Sequence, residues 1–113
     1  MAKSAFSPAK LQETRQEILT HIALIGEMRR GSVTRQFFKI KRKGQKDPAL
    51  AGPYALFTCK KNGRTVGRRL RDAQEIRRLE HQVQNFHTFQ NLCRRLVGIS
   101  EKICDERRKK EDR

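Results

Sequence analysis

The sequence predicts an α+β fold, mainly α: an antiparallel two-helix, coiled-coil-like hairpin with a small basic antiparallel β-head of two or three strands inserted between the helices. Three observations predict it. Apolar residues recur at helical spacing toward both ends of the chain, from Leu11 to Ile25 and from Ile76 to Ile103. The stretch between them is rich in β-branched and aromatic residues. That stretch also contains Asn62-Gly63, the favoured dipeptide for a two-residue type I′ turn.

The first helix is expected over 8–30. Ser7 can cap it and Pro8 suits the first helical position. Leu11, Ile18, Ile22 and Ile25 form its stripe, widened by Leu19 and Met28. Arg29 and Arg30 would complement the dipole in the last turn, with Gly31 as the stop.

A basic β-element follows over 32–70. Residues 32–43 read as a strand, and 43–53 as a loop punctuated by Gly, Asp and Pro. Residues 53–70 read as a hairpin around Asn62-Gly63, which places Lys61 opposite Arg64, Cys59 opposite Val66, Phe57 opposite Arg68 and Ala55 opposite Leu70. One face then carries Ala55, Phe57, Cys59, Val66 and Leu70, and needs a helix to cover it. The other carries Tyr54, Leu56, Thr58, Lys60, Thr65, Arg69 and Arg71.

The long helix is expected over 73–108, about 54 Å at 1.5 Å per residue. Asp72 can cap it, with Glu75 placed for a capping box. Its seam runs Ile76, Leu79, Val83, Phe86, Phe89, Leu92, Leu96, Ile99 and Ile103, in steps of three and four. Gly98 is its weak point, and 109–113 reads as a frayed tail. The whole of 1–113 reads as a single domain.

Composition narrows the function. The chain of 113 residues is 35% hydrophobic, has no Trp and carries a net charge of +15. A large core is excluded, and with it the walled pocket of a typical enzyme. No apolar run is long enough for a membrane span, and the N-terminal residues show no secretory h-region. A cytoplasmic protein is expected, nucleoid-associated if it binds DNA. Residues 29–71 hold 14 basic residues against one acid, Asp47. Solubility alone does not call for that imbalance, whereas a polyanion relieves its self-repulsion.

No catalytic residue is assigned. Strand cleavage with metals needs converging carboxylates, and only Asp47 and Asp72 lie near the basic region. Ser32, Tyr54 and Cys59 lack a base partner nearby in sequence. Cys59, Cys93 and Cys104 have no CxxC spacing, and His81 and His87 are six apart, so neither a metal nor any other cofactor is expected.

Nucleic-acid binding is therefore the leading expectation, with duplex DNA favoured because a two-stranded ribbon can enter the major groove. The candidate binding residues are Arg29, Arg30, Arg35, Lys39, Lys41, Arg42, Lys60, Lys61, Arg64, Arg68, Arg69 and Arg71. One alternative is RNA binding, with Phe37, Phe38, Tyr54 and Phe57 as stacking candidates. Another is an adaptor whose long helix engages a second copy or a larger transposase or nuclease. Apolar residues outside the seam, such as Leu24 or Val97, would favour that reading if exposed.

The order of features also resembles a known family. A helix leads to Arg29–Ser32 (RRGS), a basic strand, a loop ending in Gly52–Tyr54 (GPY) and Asn62–Thr65 (NGRT). A long helix follows with Phe86, Phe89 and Leu92 spaced as F-x-x-F-x-x-L, then Ile99–Arg108 (ISEKICDERR). Over roughly residues 10–108 this is similar to a small uncharacterised bacterial family encoded beside or within transposons. The resemblance implies a mobile-DNA setting and no activity. Family members carry loop cysteines before GPY in a pattern suggestive of zinc; residues 41–52 contain none here, so no metal is carried over.

Overall fold

A computed structural model describes residues 7–41, 43–44 and 46–112. The element order is α1 (Pro8–Leu24), β1 (Ser32–Ile40), β2 (Ala49–Lys61), β3 (Arg64–Leu70) and α2 (Ala73–Glu111). This is the expected α+β architecture, with a three-stranded antiparallel sheet in the order β1-β2-β3 between two helices. The chain forms two compact units. One is α1, through Gly26, with the part of α2 from His87 onward; the other is Glu27–Phe86.

In the helical unit, Ser7 caps α1 as expected: its Oγ accepts from the Lys10 N–H at 3.3 Å. Leu11 and Ile18 are buried on α1, and Leu92 on α2. Pro8 and Leu11 line the same cavity as Ile103, so the start of α1 lies beside the end of α2 and the helices run antiparallel. α1 stops at Leu24, well short of residue 30. Ile25 is already extended at ψ 130°, and its N–H turns back to Ile22 O at 3.2 Å. Gly26 gives no support to helix at this point. Arg29 and Arg30 therefore lie outside the last turn.

The segment after α1 belongs to the sheet unit, where polar groups of α2 satisfy it. The Arg29 N–H donates to Gln82 O at 3.1 Å. Gln82 Nε2 donates to Glu27 Oε2, and Asn85 Nδ2 to Glu27 O, both at 2.8 Å. These contacts outcompete the further turns of α1 that the Ile25 and Met28 spacing suggests.

Gly31 does not end a helix. It sits at φ +135° against β2, where a Cβ would meet Thr58 O at 2.6 Å and the Phe57 ring at 2.7 Å. Glycine allows the chain to enter β1 at that separation. Ser32 then lies opposite Thr58, and their hydroxyls share a hydrogen bond of 2.9 Å.

The β2–β3 hairpin has the expected register at every pair, from Lys61 opposite Arg64 to Ala55 opposite Leu70. Asn62 and Gly63 supply the two positive φ angles of the turn, 53° and 78°. β2 departs from expectation at its start, beginning at Ala49 within the segment read as a loop. Its ladder with β1 shifts between Gln36, opposite Tyr54, and Phe38, opposite Ala51. Gly52 and Pro53, joined by a cis peptide bond, thus stand against the single Phe37. A β-bulge accommodates a proline that cannot donate to a ladder.

α2 covers one face of the sheet. Ala55, Phe57 and Leu70 form a buried cluster with Leu79 and Val83, flanked by Val33, Cys59 and Ile76. The helix starts as expected at Asp72, whose Oδ1 accepts from the Gln74 N–H at 3.2 Å and whose carbonyl accepts from the Ile76 N–H at 3.0 Å. Glu75 does not close a capping box, because its carboxylate pairs with Arg68 of β3. Every seam residue from Ile76 to Ile103 is buried or half-buried. The helix runs on to Glu111 instead of fraying at 108, helped by a Lys109–Glu106 pair at 3.3 Å and by basic residues at its negative end.

Candidate nucleic-acid interface

Strand pairing sorts the basic residues by face. Residues directly opposite share a face, and alternate residues along a strand do too. The pairs Val33–Phe57 and Arg35–Ala55 on one side, and Phe57–Arg68 and Ala55–Leu70 on the other, place Arg35, Lys39, Lys61, Arg64 and Arg68 on the face that α2 covers. Lys60 and Arg69 lie on the open face, and Arg71 continues it beyond the end of β3. The twelve candidates thus do not form one surface.

Two of them are already engaged. Arg35 Nη2 pairs with Glu80 Oε1 at 3.1 Å, and Arg68 with Glu75, so α2 partly neutralises its own side of the sheet. These pairs are half exposed and each stabilises the fold by less than about 1 kcal/mol. Their effect is to direct the remaining positive charge elsewhere. Lys60 and Lys61, with Arg64, stand exposed around the Asn62-Gly63 turn. Arg29 and Arg30 are exposed on the segment leading to β1, and Lys39 and Lys41 at its far end. Arg42 lies outside the described residues.

The open face has a chemistry of its own. The Arg69 guanidinium lies 3.6 Å above the centre of the Tyr54 ring. Phe38 approaches Tyr54 with ring centroids 5.4 Å apart at 42°. A stacked guanidinium keeps its in-plane N–H donors available while the ring holds it in place. Thr34, Gln36 and Thr65 stand exposed on the same face, and β1, β2 and β3 contain no acid. Phe57, one of the stacking candidates, is buried against α2, whereas Phe37 is exposed. The Phe38–Tyr54–Arg69 group is not legible from the sequence, because the position of Phe38 against β2 depends on the bulge.

Among the described residues, no three His, Cys, Asp or Glu side chains gather as metal ligands. Cys59, Cys93 and Cys104 are free thiols. Leu24 and Val97, the apolar residues outside the seam, are exposed. Among the described residues, no helix is long and apolar enough to cross a membrane. Comparison with protein-family models, curated proteins and solved structures finds no match to this chain.

Proposed function

We propose that this protein is a non-catalytic nucleic-acid-binding protein that lays the open face of its sheet and the β2–β3 turn against duplex DNA. The observation that carries this reading is the division of charge between the two faces. On the covered face, Arg35 and Arg68 are paired with Glu80 and Glu75, which leaves Lys39 at one end of the sheet and Lys61 and Arg64 at the β2–β3 turn. On the open face, Lys60, Arg69 and Arg71 have no ion-pair partner among the described residues and stand beside exposed hydroxyl and amide groups. A sheet can read a groove in this way, with lysines on phosphates and arginines able to pair with guanine edges. In the setting that the resemblance implies, the protein is an accessory or regulatory factor of a mobile element in the bacterial cytoplasm.

Binding to a fluorescent duplex across a salt series tests the proposal. Lys60, Lys61, Arg64, Arg69 and Arg71 would neutralise five phosphates, giving a slope of log K against log salt of about −4.5. An affinity that does not change with salt overturns it.

A second reading, binding of RNA or another single strand, is favoured by the Phe38–Tyr54–Arg69 stack, since unpaired bases add to such stacks. Competition between duplex and single-stranded probes of one length distinguishes the two. Engagement of a larger protein through the helices is favoured only by the single exposed side chains Leu24 and Val97.

A further inference from the structure

Tyr54 and Arg69 are shared by two recesses, one mainly apolar and one that gathers three arginines. On one side is a small recess of about 150 Å³, lined by Phe38, Tyr54, Leu56 and Gln36. It is mainly apolar and aromatic, with the Gln36 amide as a neutral donor and acceptor. On the other side, where β3 runs into α2, is a cavity of about 350 Å³ in which Arg35, Arg69 and Arg71 stand over an apolar lining of Pro53, Leu70 and Ile76. Arg69 and Tyr54 line both.

From this juxtaposition we infer that the sheet end is a site for one unpaired nucleotide of a bound strand, its base in the aromatic recess and its phosphate among the three arginines. The inference rests on the nucleic-acid reading above and adds to it which part of the strand is held. Each half of the site suits its half of the ligand. A base offers a flat π-face that stacks on aromatic rings and guanidinium planes without regard to sequence. A phosphate offers oxygens that match the planar donor fork of arginine. Arg69 serves both halves, because it lines both recesses and its guanidinium, 3.6 Å from the Tyr54 ring centre, carries several N–H donors. Arg35 reaches Glu80 through Nη2, and its guanidinium carries further N–H donors for an anion. The recess beside Phe38 is too small for a base pair, so the base it takes is one released from the duplex or lying beyond its end.

The test uses the full chain and three fluorescent probes at one salt concentration. These are a blunt duplex, the same duplex with a three-nucleotide overhang, and the same overhang with its bases removed but its phosphates kept. Overhangs on the 3′ and 5′ ends are measured separately. The expected result is about tenfold tighter binding to one of the overhangs than to its abasic counterpart. Phe38→Ala removes that ratio and Phe38→Trp restores it. Phe38 is about half exposed, so truncation leaves the fold intact, which circular dichroism checks. Equal affinity for intact and abasic overhangs, with duplex binding retained, overturns the nucleotide site and leaves the proposed function standing. Absence of binding to every probe overturns both.

Discussion

Replacing Lys60 and Arg69 together by alanine tests whether the open face is the binding surface. The control is the double variant Lys39→Ala with Arg68→Ala, which removes the same two charges from the covered face. A model that counts only net charge makes the two variants equivalent. The sheet geometry does not, because Arg68 is paired with Glu75 and both control residues lie on the opposite face. Removing one phosphate contact reduces the salt slope by about 0.9. From about −4.5 in the parent, the open-face variant falls to about −2.7 and the control stays near −4.5. Between about 50 and 200 mM salt the parent and the control therefore weaken about 500-fold, and the open-face variant only about 40-fold. Fluorescence anisotropy over that range separates these values. Equal slopes for the two variants would refute the assignment of faces.

The same geometry sets further outcomes. Arg64→Ala with Arg69→Ala weakens DNA binding more than Lys43→Ala with Lys46→Ala in the same anisotropy assay, because strand pairing holds the first pair in place and the second lies outside any strand. Gly31→Ala destabilises the fold by about 2 kcal/mol or more in urea unfolding, combining a positive φ with a clash against Thr58 and Phe57. Gly63→Ala costs only about 1 kcal/mol in the same measurement, since its φ of 78° is strained for alanine but nothing lies within 4 Å of the added Cβ. Val83→Ala, in the cluster beneath the sheet, costs about 1–3 kcal/mol through reduced burial and the cavity left behind.

What is legible in the sequence is local. The Asn62-Gly63 turn fixes the pairing of its two strands, so each cross-strand neighbour from Lys61 to Ala55 follows by counting. The long seam of α2 is legible because its three-and-four spacing holds from Ile76 to Ile103. What stays hidden depends on partners distant in the chain. Ile25 and Met28 continue the helical spacing of α1, yet contacts of Glu27 and Arg29 with Gln82 and Asn85 hold that segment out of the helix. Glu75 has the spacing of a capping box, but the sheet brings Arg68 within its reach. The run of basic residues marks the region and conceals its division into two faces, because the β1 pairing has no turn signal of its own to count from.

The bulge at Gly52 and Pro53 sets the phase of the pleat for everything that precedes it in β2. Counting back from Tyr54 by strict alternation would put Gly52 opposite Phe38 and Leu50 opposite Ile40. Two residues share the place of one, so Ala51 stands opposite Phe38 and Leu50 opposite Lys39 instead. The small side chain thereby falls beside the aromatic recess, and the branched one falls on the other side. Tolerance of length changes follows from this arithmetic. Deleting Pro53 removes the surplus residue and leaves Gly52 opposite Phe37, and every remaining pair of the ladder keeps its partner. Deleting Ala51 with the bulge retained draws Leu50 into register with Phe38, and the recess acquires a leucine as its neighbour. Two deletions two residues apart thus have opposite meanings: one is absorbed silently, while the other changes what the sheet can accept.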